Sequence, residues 1–199
     1  MKRINKKNIN TPKYWDIVYK AELLKGVHRI ELERFRKVAS MITNGSTVLD
    51  VGCGTGEFVD FLCLKKDKCI ISGIDFSKVA IIEAKKKCPE CDFFVIDIME
   101  MSKTFSDIDY IVSFETIEHL DDPPDFINEV SKTLKKGGIL FLSTPYDNKV
   151  TGGDEHMYSF DFQDMVDCFE KTNLWSLIII MRYSANLKNM FVVAKKIVD

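Results

Sequence analysis

The segment Val48-Leu49-Asp50-Val51-Gly52-Cys53-Gly54-Thr55-Gly56-Glu57-Phe58 confines this chain to a narrow set of folds. Apolar residues flanking one aspartate predict a short buried parallel strand, and Gly52, Gly54 and Gly56 supply a turn whose backbone carries no Cβ atoms. A ligand can lie directly against such a backbone. Phe58 to Leu64 is apolar enough for a packed helix. The glycines therefore fall where a strand ends and a helix begins, the place where ligands bind in an open α/β sheet.

Spacing narrows the choice of ligand. The dinucleotide fingerprint Gly-x-Gly-x-x-Gly presents a helix N-terminus to a pyrophosphate. Here the third glycine comes one residue early and Glu57 holds the sixth position. A carboxylate at a helix start repels a pyrophosphate but tolerates a cationic ligand without phosphate. With Asp50 ahead of it, the run resembles motif I of the class I S-adenosylmethionine methyltransferases, and the later segments follow in that family's order. The resemblance implies a Rossmann-like α/β fold: a seven-stranded, mostly parallel sheet with an antiparallel C-terminal strand and helices on both faces. It also implies S-adenosylmethionine as cofactor, contacted by Asp50, Gly52, Cys53 and Gly54.

A chain of 199 residues with 46% hydrophobic content suffices for one domain with a sizeable core. The expected organisation is an N-terminal arm with cap helices over 1–45 and a cofactor-binding core over 46–199. Twenty-eight basic against 30 acidic residues give a net charge of -2, so no overall basic field recruits nucleic acid. The arm around Lys2-Arg3 and Lys6-Lys7 lacks an apolar core and is expected to be solvated, without signal-peptide character. No apolar run reaches the length of a membrane span. Cysteines at 53, 63, 69, 88, 91 and 168 read as free thiols of a reducing, cytoplasmic compartment. Cys88-Pro89-Glu90-Cys91 is a single C-x-x-C, and a zinc knuckle would need a second pair.

Thr11-Pro12 predicts a helix start, followed by an aromatic face of Tyr14, Trp15, Val18 and Tyr19. That face covers either the sheet edge or the ligand, and similar methyltransferases begin with the same Tyr-Trp-Asp. A second amphipathic helix runs from Ile30 to Ile42. Arg29 at its start resembles an arginine that reaches the cofactor's carboxylate in ubiquinone-biosynthesis O-methyltransferases.

Cys69 to Asp75 predicts a second strand ending in an acid, whose two oxygens suit a ribose diol. Phe76 is placed to lie against adenine, and Ser77 caps the next helix. Phe93 to Ile98 predicts a third strand. There the resemblance gives Asp97 the adenine amino group and the Ile98 backbone N–H a ring nitrogen. Asp109 to Phe114 predicts a fourth strand, with Phe114 among the cofactor contacts. A helix opened by Asp121-Asp122-Pro123-Pro124 and ended by Gly137-Gly138 leads to a fifth, Ile139 to Thr144. Leu174 to Met181 and Met190 to Ala194 then predict an antiparallel hairpin.

At the tip of the fourth strand stands Glu115-Thr116-Ile117-Glu118-His119. Helical spacing would put Glu115, Glu118 and His119 on one side of a turn, and His156 follows the fifth strand. Two carboxylates and an imidazole there look like a divalent metal site. The pattern resembles that of ubiquinone-biosynthesis O-methyltransferases and RNA 3′-end 2′-O-methyltransferases, which implies Mg²⁺ or Mn²⁺ gripping substrate hydroxyls. Without metal, His119 is the candidate general base, with Glu118 beside it. Thr144-Pro145-Tyr146 are expected to line the acceptor pocket. The short loop from Tyr146 to Met157, with no RNA-end-binding domain in view, favours a small-molecule acceptor. A catalytically silent cofactor-binding scaffold, amine methylation and methylation of an RNA terminus are the alternatives.

Overall fold

A computed structural model describes residues 1–5, 7–22, 29–146, 155–171, 173–183 and 189–198. The chain forms two compact units, Thr11–Ile98 and Met1–Asn10 with Met99–Asp199.

The first unit contains helix α1 (Pro12–Glu22), helix α2 (Arg29–Met41), strand β1 (Thr47–Val51), helix α3 (Glu57–Cys63), strand β2 (Ile70–Asp75), helix α4 (Lys78–Lys87) and strand β3 (Asp92–Val95). Strands β1 and β2 are parallel, as are β2 and β3. Parallel strands covered by helices need apolar residues on both faces, and Val48, Leu49, Val51 and Ile74 are accordingly buried. On α3, Phe58, Val59 and Leu62 are buried, and Phe58 meets Phe35 of α2 with ring centroids 5.2 Å apart. The predicted third strand stops early. After Val95 the chain turns, with Ile96 N–H donating to the Asp75 carbonyl, and a 3₁₀ helix occupies Ile98–Lys103.

The second unit contains β4 (Ile108–Phe114), α5 (Pro123–Thr133), β5 (Leu134–Pro145), α6 (Phe162–Glu170), β6 (Trp175–Tyr183) and β7 (Asn189–Lys196). The seven strands are ordered β3-β2-β1-β4-β5-β7-β6. Strand β7 is antiparallel to both its neighbours, and the direction of winding reverses at β1. In this unit's core Phe141 lies between Tyr110 and Phe191, both rings nearly parallel to it.

Two expectations are corrected here. Helix α5 opens as predicted, with Asp122 capping the Asp125 N–H and proline at the first turn, but it ends at Thr133. Gly137 and Gly138 instead lie within β5, in a bulge between the pairs Ile108–Leu134 and Tyr110–Ile139. A Cβ on Gly138 would stand 3.0 Å from the Ile108 carbonyl oxygen, so the glycine is required by close backbone approach. The N-terminal arm is docked through its backbone, while the Lys2, Arg3 and Lys7 side chains stay exposed as expected: Lys2–Arg3 pairs antiparallel with Tyr158–Ser159, and Ile4 N–H donates to the Met157 carbonyl. Most of the predicted hairpin turn, residues 186–188, lies outside the described residues.

Candidate active site

In the first unit the glycine turn is fastened to the end of β2, where Gly52 and Cys53 N–H both donate to the Ile74 carbonyl at 2.9 and 3.0 Å. The second and third glycines divide two tasks. Gly54, at φ +53°, lies beneath Tyr19: a Cβ there would stand 3.1 Å from the Tyr19 hydroxyl. Gly56, at φ +79°, lets the start of α3 approach α4, since a Cβ there would fall 2.9 Å from that of Ala84. Burial pushes the Glu57 carboxyl upward, but hydrogen bonds from Lys87 and Thr55 hold it below its ordinary range. The helix start therefore carries a charged carboxylate where a pyrophosphate would need to lie.

Asp75, at the end of β2, is buried and already hydrogen-bonded. Its Oδ1 accepts the Ser77 N–H at 2.8 Å, and its Oδ2 accepts the Gly54 N–H at 3.1 Å and the Tyr19 hydroxyl at 3.4 Å. Helix α1 is held over this acid by Asp16, whose Oδ1 accepts the Ser77 hydroxyl and the Val79 N–H at the start of α4. Tyr14, Trp15 and Tyr19 form a run of touching rings along α1. Sequence reasoning placed these rings on one face but missed that Tyr19 is the one meeting Asp75, and that Asp16 anchors the helix. The aspartate of Tyr-Trp-Asp was the available signal.

Phe76 is half-buried, Asp97 exposed and Ile98 buried. The Arg29 side chain lies outside the described residues. Cys53 is buried beside Gly73, and desolvation keeps its thiol protonated.

Asp50, in β1, is as buried as Asp75, and burial, with the charges of Glu57 and Asp75 adding, pushes its carboxyl up to about 8. Burial likewise pushes Asp75 up to about 6. The folded chain thus retains protons that the unfolded chain, with aspartates near 3.8, has released. Each raised carboxyl contributes stability that is complete below about pH 4 and is lost as pH rises through its folded value. His119 works in the opposite direction, but only below about pH 6.5. Between about pH 6.5 and about pH 8.5, therefore, the melting temperature of the ligand-free protein should fall. Asp50→Asn should flatten that slope and raise the melting temperature at the alkaline end, as scanning calorimetry would show.

In the second unit, Phe114 ends β4 half-buried and Glu115 follows in the left-handed region at φ +50°. This takes Glu115 out of the helical turn expected for it. Its Oε1 accepts from the Ser143 hydroxyl at 2.7 Å and from Asn189 Nδ2 at 3.1 Å. A 3₁₀ turn over Ile117–His119 then directs Glu118 and His119 together. Buried Glu118 accepts the Thr144 hydroxyl on Oε2 at 3.0 Å, and its Oε1 is 3.9 Å from His119 Nε2. Thr144, expected beside an acceptor, is fully buried and supports Glu118.

His119 Nδ1 is 3.1 Å from the Glu155 carbonyl oxygen, which can only accept, so Nδ1 carries the proton and Nε2 keeps its lone pair. Burial lowers His119 to about 4, leaving a neutral imidazole at neutral pH. The His156 ring meets that of His119 edge-on at 4.9 Å, and its buried Nδ1 has no hydrogen-bond partner among the described residues. One ligating atom from each of Glu118, His119 and His156 lies within 4.8 Å of the others. The structure thus unites three of the four expected ligands and leaves Glu115 apart.

The docked arm completes this cluster. Asn10 Nδ2 donates to the carbonyls of His119 at 3.1 Å and Glu155 at 2.7 Å, and Asn5 Nδ2 donates to that of His156 at 2.7 Å. Met157 N–H donates to the Glu118 carbonyl at 2.7 Å. An Asn-rich segment was the only sequence signal for this role.

The strand order and the glycine turn ending β1 define the Rossmann-like fold of S-adenosylmethionine enzymes. A profile described as "Methyltransferase domain" matches residues 19–177, and the chain belongs to that family, among the class I S-adenosylmethionine methyltransferases. A ubiquinone biosynthesis O-methyltransferase of Coxiella burnetii is 33% identical over 126 residues, covering 61% of this chain and 53% of that protein. The chain spans about half or less of the curated relatives it matches, from 36% to 53% of their length. Among solved structures, the N-methyltransferase NodS from Bradyrhizobium japonicum WM9, in complex with S-adenosyl-L-homocysteine, superposes with a TM-score of 0.72. The identity is 18%, over 92% of this chain and 98% of that one. The [4+2]-cyclase SpnF superposes at 0.70 with 17% identity, over 84% and 81%. Likeness at that level shows the fold and leaves the reaction to the site.

Proposed function

We propose that this chain transfers the methyl group of S-adenosylmethionine to a hydroxyl of a small molecule, with a divalent cation held by Glu118, His119 and His156. The observation that carries the reading is Asp75, an acid ending β2 with its Oδ2 turned to the Gly54 N–H of a phosphate-excluding turn. The cofactor supplies an electrophilic methyl on a cationic sulfur, so alignment is the main task left to the protein.

On this reading the ribose diol takes the place of the Tyr19 hydroxyl on Asp75, Phe76 lies against adenine, and Asp97 with the Ile98 N–H reads its edge. Tyr14, Trp15 and Arg29 close over the remainder. Three features of the second unit favour a cation: a neutral His119 with its lone pair on Nε2, a His156 Nδ1 with no hydrogen-bond partner among the described residues, and a buried carboxylate beside them. Two imidazoles and one carboxylate suit Mn²⁺ better than the harder Mg²⁺. A bound cation lowers the pKa of a substrate hydroxyl and aims its oxygen. Glu115, held by Ser143 and Asn189, shapes the turn that presents these ligands. The O-methyltransferase name of the Coxiella relative supports the choice of a hydroxyl acceptor.

The test is release of S-adenosylhomocysteine from catechols and vicinal diols, measured with Mn²⁺ and with chelator. Turnover of diols that stops with chelator is the expected result. Turnover of amines alone would discard the hydroxyl acceptor, and turnover indifferent to chelator would discard the cation.

A further inference from the structure

Outside the clusters around Asp75 and His119, the first unit gathers three thiols. Cys63 is the last residue of α3, Cys88 caps the C-terminus of α4, and Cys91 immediately precedes β3. Their sulfur atoms lie within 4.8 Å of one another. Cys88 is fully buried, and Cys63 and Cys91 are partly so. The Cys91 N–H donates to the Cys88 carbonyl at 3.2 Å, closing the tight turn that aims both sulfurs the same way. Glu90 projects from that turn, and its Oε1 is 3.6 Å from Cys63 Sγ. The sequence shows one C-x-x-C, and the third thiol arrives through helix packing across 25 residues (63 to 88).

From this convergence the geometry points to a zinc site, with Cys63, Cys88 and Cys91 as thiolate ligands and the Glu90 carboxylate as the fourth. A tetrahedral ion with Zn–S bonds of about 2.3 Å needs sulfurs roughly 3.8 Å apart, so the present triangle requires only a small contraction. Three thiolates and a carboxylate select a borderline-soft, four-coordinate ion over Mg²⁺ or Ca²⁺. Helices α3 and α4 both end here, and their terminal carbonyls favour a cation. Each thiol releases its proton to solvent as it ligates, with no change of oxidation state. Helix α3 separates the cluster from the glycine turn by seven residues, about 10 Å of helix. The ion therefore has a structural task, tying the end of α3 to the turn between α4 and β3.

The experiment titrates the full chain, reduced and stripped of metal, with Co²⁺ and then Zn²⁺. One equivalent of Co²⁺ should produce an intense near-ultraviolet thiolate-to-cobalt band that Zn²⁺ abolishes. Zn²⁺ should raise the melting temperature by roughly 5 °C or more. His119→Ala should keep the band, which separates this site from the histidine cluster. Cys63→Ser and Cys91→Ser should lose it, and Glu90→Gln should weaken the affinity roughly 10-fold. Because a serine variant can misfold, the wild-type band is decisive alone. Cobalt bound without a thiolate band, or no Co²⁺ bound, would overturn the assignment. So would a disulfide among these cysteines that persists in the reduced preparation.

Discussion

Replacing Asp75 by alanine is expected to weaken S-adenosylmethionine binding by roughly 100-fold or more, with a loss of stability from the orphaned Ser77 and Gly54 N–H groups that leaves the chain folded. The carboxylate is proposed to accept two hydroxyls of the cofactor's ribose, and hydrogen bonds to a charged group are worth about 1.5–3 kcal/mol each. Losing both passes two factors of ten, each about 1.4 kcal/mol. The Tyr19 hydroxyl now on Oδ2 is a weak competitor. At 3.4 Å it is well beyond the 2.7–2.8 Å or so preferred by an O–H···O bond, so a ribose hydroxyl displaces it readily. Helix α4 should survive the change, because Ser77 still accepts the Ala80 N–H and still meets Asp16. Asp75→Asn, which keeps the volume and one acceptor, should lose about 10-fold, in line with one such bond. Titration calorimetry gives both affinities and thermal melting verifies folding. An alanine variant that binds within about threefold of wild type would remove the ribose from Asp75 and, with it, the cofactor assignment.

What the sequence made legible is what short-range patterns encode. The apolar run before Gly52, the acid closing β2 and the alternation of strand with helix are local signals, and they are enough for the fold and for the position of Asp75 at the end of β2. The exceptions arise where a residue's partner is far along the chain. Spacing alone predicts Glu115 on a helical turn, yet Ser143 and Asn189 hold its carboxylate and its backbone adopts φ +50°. Gly137-Gly138 reads as a helix stop, but the need for it comes from the Ile108 carbonyl across the sheet. The arm lacks apolar periodicity, and its docking rests on Asn side chains reaching backbone carbonyls some hundred and more positions away. Cys63 likewise joins Cys88 and Cys91 only once α3 and α4 have packed. Glu57 shows the reverse case: one residue's charge narrowed the ligand, and its pairing with Lys87 leaves that carboxylate ionised at the helix start.

His119→Ala should lower kcat by roughly 10²–10⁴-fold while the affinity for S-adenosylmethionine stays within about threefold of wild type. The second part follows because Asp75, Gly54 and α1 belong to the other compact unit and keep their contacts. The first can arise in two ways, as cation ligand or as general base, and measurements on the second histidine tell them apart. His156 meets His119 edge-on at 4.9 Å. If both are ligands, His156→Ala should cost nearly as much as His119→Ala, and added Mn²⁺ should restore part of the lost rate. If His119 were instead a lone base, His156→Ala would be mild and insensitive to Mn²⁺. The pH profile carries independent information. Burial holds His119 at about 4, so Nε2 keeps its lone pair across the neutral range and loses it only in acid. The rate should therefore show no histidine break near pH 6.5 and should fall as pH drops toward about 4. A break near 6.5 that vanishes in His119→Ala would mean an imidazole open to water during turnover, and the buried, preorganised ligand set would have to be abandoned.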